Sequence, residues 1–332
     1  MKGFSLPDKR SGEVVLEANT RYWDRSRFPR VKRIVFDNTI SQAKALDLLK
    51  AGDGRVDMVT GLSPRDTLKV AQSAHAKVVK NRNFHGVVFG QLNMRKVGSP
   101  WRDLRVRQAA NLAINRADLI QYGANGNGQV VPALVPANGF GYAAGLAPYP
   151  FDPERARALL REAGYPDGLS IGLIAPEPLT VHATVVASML EQAGFTVERQ
   201  ILDPTGFRRR VTLSVLDTPA EQQTWDIAVT QENSWVSFAP IDLYQDFVVD
   251  GWADWVEESP EFRQLNDRVL RIVDPREQGT LIREMERLAS EQAYFLFLYQ
   301  PIDLVAVKKT VTYVPYPNFV ILAETAVASR KQ

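Results

Sequence analysis

"FDPERARALLREAGYPDG", residues 151 to 168, decides how this chain is read. Asp152 is placed to accept the free amide donors of a helix start, and Pro153 suits the first helical position. Ala156, Leu159, Leu160 and Ala163 recur at helical spacing as one apolar stripe, and Gly164 suits a left-handed exit. A strand is expected directly afterwards, at 169 to 175. The same joint then returns: a helix around 180 to 193 runs into "EQAGFTVE" (191 to 198), with a strand at 195 to 202. Two successive helix-to-strand joints predict an α/β lobe.

Upstream of this lobe, "SPWRDLRVRQAANLAINRADLIQYG" (99 to 123) is helical in pattern. Val106, Ala109, Ala110, Ala113 and Ile114 share one side, and Arg105, Arg107 and Asn111 lie away from its centre. "HGVVFGQLN" (85 to 93) is a strand bounded by glycine. Earlier still, "GEVVLEANTRYWD" (12 to 24) is a strand leading into a turn. "VKRIVFDN" (31 to 38), the helix "SQAKALDLLKAGDG" (41 to 54) and "VDMVTG" (56 to 61) together predict a β-α-β unit. Between Gly123 and Pro153 the chain is too rich in breakers for regular helix and too apolar for a solvated linker, so it is expected to lie over a folded lobe.

Downstream, helices are expected at 260 to 273 (Phe262, Leu265, Val269, Ile272) and 275 to 291 (Leu281, Met285, Leu288). The tail from Tyr294 is dominated by short strands and prolines. It is expected to close the first lobe, so that the chain crosses between lobes twice. The resulting division is 1–90 and 296–332 for one lobe and 91–295 for the other, α/β, lobe.

Composition bounds the function. At 332 residues and 45% hydrophobic, two lobes are the default. Forty Lys plus Arg against 38 Asp plus Glu leave +2 with no long basic block, which does not suggest nucleic acid. The absence of cysteine excludes disulfides, cysteine nucleophiles and thiolate metal sites. The longest apolar runs, such as "AYFLFLY" (293 to 299), are too short for a membrane helix. The opening "MKGFSLPDKRSGEVV" shows no signal-peptide pattern, so a soluble chain without a visible export signal is expected.

No phosphate loop, dinucleotide fingerprint, nucleophile elbow or zinc-protease motif is present; "GANGNG" (123 to 128) lacks the Lys-Ser/Thr ending of a phosphate loop. His75, His85 and His182 are scattered, and His182 reads as a packed or surface imidazole, so neither metal nor cofactor is expected. Asp226 reads as a capping or surface acid, and Asp242 and Asp246 as members of a polar helical face.

One stretch departs from core logic. "WDIAVTQENSWVSFAPIDLYQDF" (225 to 247) begins as a buried strand and then sets aromatics beside Gln231, Glu232 and Asn233. Polar residues there emerge at a strand's carboxyl end, where open α/β sheets place their clefts. Asn233 is the expected hydrogen-bonding group, Trp235 the stacking wall, Phe238 a second wall and Glu232 the partner for a cation.

Three segments carry a resemblance. "GEVVLEANTRYWD", "WRDLRVRQAANLAINRADLI" (Asp103, Val106, Arg107, Ala109, Ala113, Ile114, Arg116) and "YPFDPERARALLREAGYPDG" occur in the order found in the extracytoplasmic solute-binding proteins of ABC importers, family 5, the oligopeptide, dipeptide and nickel class. The resemblance implies a two-lobe, class II periplasmic-binding-protein-like α/β fold. It implies a monomer outside the cytoplasmic membrane that encloses a small-molecule or peptide solute and delivers it to an ABC permease, with no chemical step. A solute touching both lobes favours their closure.

The chain departs from the family pattern in two ways. It starts almost at the Asn-x-x-Tyr-Trp stretch, so the first lobe is expected to lack N-terminal strands. Peptide-binding relatives commonly carry an acid after the strand; Trp235 stands in its place here, leaving Glu232 to meet a peptide amine. Nothing gathers histidines for nickel. The alternatives are a nonfunctional or structural fragment of such a protein, or an enzyme using Glu232 in a cleft.

Overall fold

The computed structural model describes residues 4–5, 12–82, 86–213, 219, 222–233, 241–249, 251, 253–316 and 326–327. The chain divides into two units, Met1–Asn83 with Ile302–Gln332, and Phe84–Pro301. The first holds β1 (Phe4–Ser5), β2 (Glu13–Glu17), β3 (Arg33–Asp37), α1 (Gln42–Ala51), β4 (Met58–Val59), α2 (Thr67–Ala71) and β5 (Ala76–Asn81). The second holds β6 (Gly86–Leu92), α3 (Leu104–Leu112), α4 (Arg116–Ala124), β7 (Gly128–Gln129), α5 (Pro153–Glu162), β8 (Leu169–Pro176), α6 (Thr180–Gln192) and β9 (Phe195–Leu202). It continues with α7 (Pro204–Arg208), β10 (Ile227–Asn233), α8 (Ile241–Phe247), α9 (Pro260–Arg271), α10 (Pro275–Glu291) and β11 (Phe295–Pro301). The chain then re-enters the first unit with β12 (Asp303–Lys308), β13 (Val311–Thr312) and β14 (Ala326–Val327).

In the first unit, β12 lies antiparallel between β4 and β5, so strands from opposite ends of the sequence share one sheet. The helix α1 covers it: Ser41 caps its start, Gly52 (φ 71°) ends it, and Leu46 and Leu49 pack with Val59, Leu62, Val70, Ala76, Leu304 and Ala306. β3 belongs to a separate antiparallel sheet, β1-β2-β3. The expected β-α-β unit at 31 to 60 is therefore corrected. β3 and β4 flank a helix but share no sheet, because β4 is two residues long and finds its partner in β12.

The second unit is built on a six-stranded sheet in the order β7-β11-β6-β10-β8-β9. Every residue of β6 and β11 is buried, which accounts for their largely apolar sequences, interrupted only by Gln91 and Gln300. β8 and β9 pair in parallel over all eight residues of each, β10 runs parallel to β8, and β6 is antiparallel to both β10 and β11. One core gathers Phe89, Val106, Leu160, Val186, Ile227, Val229, Met285 and Phe297 from the strands and from α3, α5, α6 and α10. The glycine- and proline-rich segment after α4 contributes Val131, Ala133, Leu134 and Val135 to it.

The helical pattern at 99 to 123 resolves into α3 and α4, with Asn115 capping the second through its side chain (to Asp118 N, 3.2 Å). Arg107 and Asn111 are buried, a correction to their expected place off the packed side. Asn111 Nδ2 donates to Phe295 O (2.9 Å), its Oδ1 accepts from Phe297 N (3.1 Å), and Arg107 donates to Trp101 O (2.6 Å) and Gln292 O (2.8 Å). Arg116 is also buried and donates to the carbonyls of Phe297, Asn111, Ile114 and Tyr149 at 2.9 to 3.2 Å. Burial holds its guanidinium down to about 10. These groups fasten α3 and α4 to β11 by satisfying backbone acceptors that the core would otherwise leave unpaired.

Candidate functional site

β10 is the strand on which the expected site residues lie. Its start is clamped. Asp226 is buried, pairs with Lys96 Nζ at 2.9 and 3.0 Å, and accepts from Gly172 N of β8 at 2.8 Å, so the surface or capping role expected from sequence is corrected to a buried ion pair. Next along the same face, Ala228 packs with Ile174, Phe207, Val211, Trp225 and Trp255, and Trp255 Nε1 donates to Val211 O (2.9 Å). α7 and the turn after it thus cover this face of the sheet.

Beyond Ala228 the environment changes. The β8–β10 register comprises Ile227 and Ala228 only, whereas β10 stays paired with β6 through Asn233, opposite Gly86. The chain leaves β8 for β9 on one side and, after β10, reaches β11 on the other side of β6. Two adjacent parallel strands whose exits run in opposite directions form a switch point, the place at which open α/β sheets generally set their ligand sites.

Thr230 and Glu232 follow Ala228 on the same face of the strand by alternation. Thr230 is buried and its Oγ1 donates to Glu232 Oε1 at 3.2 Å. Glu232 is half-buried. Burial raises its carboxyl to about 7; the Thr230 hydroxyl lowers it, the Asp246 charge raises it and the Arg208 charge lowers it. A carboxyl poised there gains most from a cation that restores the charge partner lost with water.

Of the four residues expected from sequence, Glu232 lies next to the last residue of β10, past the point where β8 stops pairing with it. Asn233 is the last residue of β10, its side chain outside the described residues, and Trp235 and Phe238 lie outside them altogether. Sequence reasoning missed Thr230, and it missed Arg208 on α7 and Asp246 on α8 as charges acting on Glu232. The Arg208-Arg209-Arg210 run was visible, but only the sheet order brings it to the same strand end.

His182 is packed, its ring stacked on Tyr299 with Nε2 2.6 Å from the hydroxyl. A groove of about 400 Å³ between α4 and α6, lined by Tyr122, Phe151, Val185 and Met189, holds none of the expected residues. Among the described residues no group of three or more His, Asp or Glu side chains is arranged to hold a metal, and no helix is long and apolar enough to cross a membrane.

The sequence profile of the bacterial extracellular solute-binding proteins, family 5 middle, matches residues 7–254. Di/tripeptide-binding protein 3 of Pseudomonas aeruginosa (strain UCBPP-PA14) is 26% identical over 186 residues, a stretch covering 55% of this chain and 34% of that protein. The periplasmic binding protein DppA of Helicobacter pylori, solved in complex with the peptide STSA, superposes with a TM-score of 0.80 at 20% identity, over 98% of this chain and 62% of that one. NikA of Staphylococcus aureus, solved with Ni(L-His)2, gives 0.76 at 16% identity, over 98% and 68%. The chain thus spans about a third of the curated relative and about two thirds of the solved ones, and the solved structures speak to fold alone.

Proposed function

Given that this chain belongs to the bacterial extracellular solute-binding proteins of family 5, we propose that it is the solute-binding component of an ABC-type importer. In this reading it takes up a small organic molecule that carries a cationic group, works outside the cytoplasmic membrane with an ABC permease, and performs no chemical step. The solute's cation meets Glu232 at the end of β10, Asn233 supplies a directional hydrogen bond, and Trp235 and Phe238 wall the solute's apolar part. A peptide amine fits this description, as do other amine-bearing solutes; the solved relatives hold a peptide in one case and a nickel–histidine complex in the other.

The observation that carries the reading is Glu232 itself. A half-buried carboxyl, raised to about 7 by burial, stands at the switch point of the sheet, and among the described residues it has no tight ionic partner of the Asp226–Lys96 kind. A binding site preorganised for a cation has this character: the charge partner is supplied by the ligand.

Native mass spectrometry of gently purified protein tests it. The expected spectrum shows one retained small molecule per chain, lost in Glu232→Ala and depleted in Trp235→Ala while both variants stay folded. A protein that retains nothing, and whose melting temperature is unmoved by a panel of amino acids, short peptides and other amines, would overturn the proposal.

A further inference from the structure

α8 is seven residues long, too short to hold itself as a helix in water, so its place is set by what it packs against. Its Tyr244 and Phe247 are buried. Phe247 meets Phe89 of β6 edge-on, with ring centroids 5.4 Å apart. In the β6–β10 register Phe89 stands opposite Thr230, and Val87 opposite Glu232. Directly opposed residues share one face of a sheet, so α8 lies over the face that carries Thr230 and Glu232.

Ring contacts press α8 onto the sheet, but they are non-directional and leave its rotation free. The Tyr244 side chain supplies the missing direction. Its ring packs edge-on against Phe262 of α9 (5.4 Å), and its hydroxyl donates to Glu286 Oε1 of α10. Glu286 Oε2 is held in turn by Val135 N (3.1 Å), so the carboxyl is itself fixed in place. A hydroxyl-to-carboxyl bond in a dry interior is both directional and strong. Burial and the adjoining carboxyl push the Tyr244 hydroxyl well above its ordinary value, so it stays a donor.

Asp246 follows Tyr244 by two positions, about 200° further round the helix. Any rotation of α8 that moves Tyr244 therefore moves Asp246. The groups acting on Glu286 are Tyr244 from α8 and the backbone amides of Leu134 and Val135; those acting on Glu232 are Thr230 of its own strand, Asp246 from α8 and Arg208 from α7. The two carboxyls thus share one element, α8, between them.

We propose that Tyr244 and Glu286 are positioning residues of the Glu232 site: their hydrogen bond fixes the rotation of α8 and, through it, the place of the Asp246 charge beside Glu232. The consequence for solute binding rests on the reading of Glu232 given above, whereas the positioning itself does not.

NMR titration of the full chain, with glutamate labelled at the side-chain carboxyl carbon and no solute added, decides it. The Glu232 resonance is assigned by its loss in Glu232→Gln, and its wild-type midpoint is expected at about 7. Tyr244→Phe keeps the ring and removes the hydroxyl; as the Asp246 charge moves away, the Glu232 midpoint is expected to fall by about 0.5 pH unit or more. Glu286→Leu is expected to do the same, and Glu286→Gln, which keeps an acceptor for the hydroxyl, to restore the wild-type midpoint. With Asp246→Asn already in place, Tyr244→Phe is expected to change nothing further. Circular dichroism establishes that each variant is folded, and either Tyr244→Phe or Glu286→Leu carries the test by itself. A midpoint unmoved in these folded variants, or one that moves as far after Asp246→Asn, would overturn the proposal. Because no solute enters the measurement, a failure of the positioning is distinguished from a failure of the solute reading.

Discussion

A carboxyl on the apolar face of a helix, as Glu286 is on α10, has to be given partners or kept protonated. Glu286 is fully buried, takes the hydroxyl of Tyr244, and accepts from Val135 N at 3.1 Å, thereby pinning the glycine- and proline-rich segment to the core. Burial raises it from 4.5 to about 7. The folded pKa lies above the unfolded one, so the folded state holds the extra proton between these values. Stability is greatest below about 4.5 as far as this group is concerned, and it declines as pH rises to about 7, by roughly 3 kcal/mol. Denaturant titrations across that range should show the slope in wild type and a flattened one in Glu286→Gln; an unchanged slope would remove Glu286 as its source. Arg116→Met leaves the carbonyls of Phe297 and Tyr149 without their donor and should cost about 2 to 4 kcal/mol in the same assay. Legibility at this scale was uneven. Leu159, Leu160 and Val106 read correctly as core from spacing alone. Arg107, Asn111 and Asp226 did not, because a polar residue scores as outward on any periodicity and its buried partners come from β11, β8 or a segment far along the chain.

Among the elements, α5 was legible to the residue because its signals are local. Asp152 accepts from Arg155 N at 2.9 Å and Pro153 opens the first turn. Asp152→Ala should therefore lower unfolding free energy by about 1 kcal/mol. The exit after α5 depends on Gly168, at φ +99°, where an added Cβ would lie 2.7 Å from Gly194 O. Gly168→Ala meets both a left-handed backbone and a backbone clash, so a larger loss than at Asp152 is expected, measured by the midpoint of chemical denaturation. The β3–α1–β4 stretch shows the opposite case. Its strands and helix were each visible, but their assignment to one sheet failed because partner choice was settled by β12, some 250 residues later in the chain.

For the whole molecule, topology separates the two units in a way that sequence periodicity only outlined. Phe84–Pro301 is one continuous stretch with its own sheet and core, whereas the first unit needs β12 from the far end of the chain. A polypeptide of residues 84–301 is expected to unfold cooperatively by itself, and calorimetry showing no transition would refute that independence. The strand order of this unit also explains why the candidate site was half legible. The change of character after "WDIAV" was visible, but β10 runs on through Asn233, so Gln231, Glu232 and Asn233 lie within the strand and not beyond its end, and Arg208 and Asp246 reach Glu232 only once β8 and β10 are neighbours. The account as a whole rests on that carboxylate meeting a solute's cation, and isothermal titration of the solute identified by mass spectrometry tests it most directly. The expected result is an affinity that rises with pH through about 7, as Glu232 ionises, and that falls at least ten-fold in Glu232→Gln with its pH dependence abolished. An affinity equal in wild type and variant at every pH would contradict it.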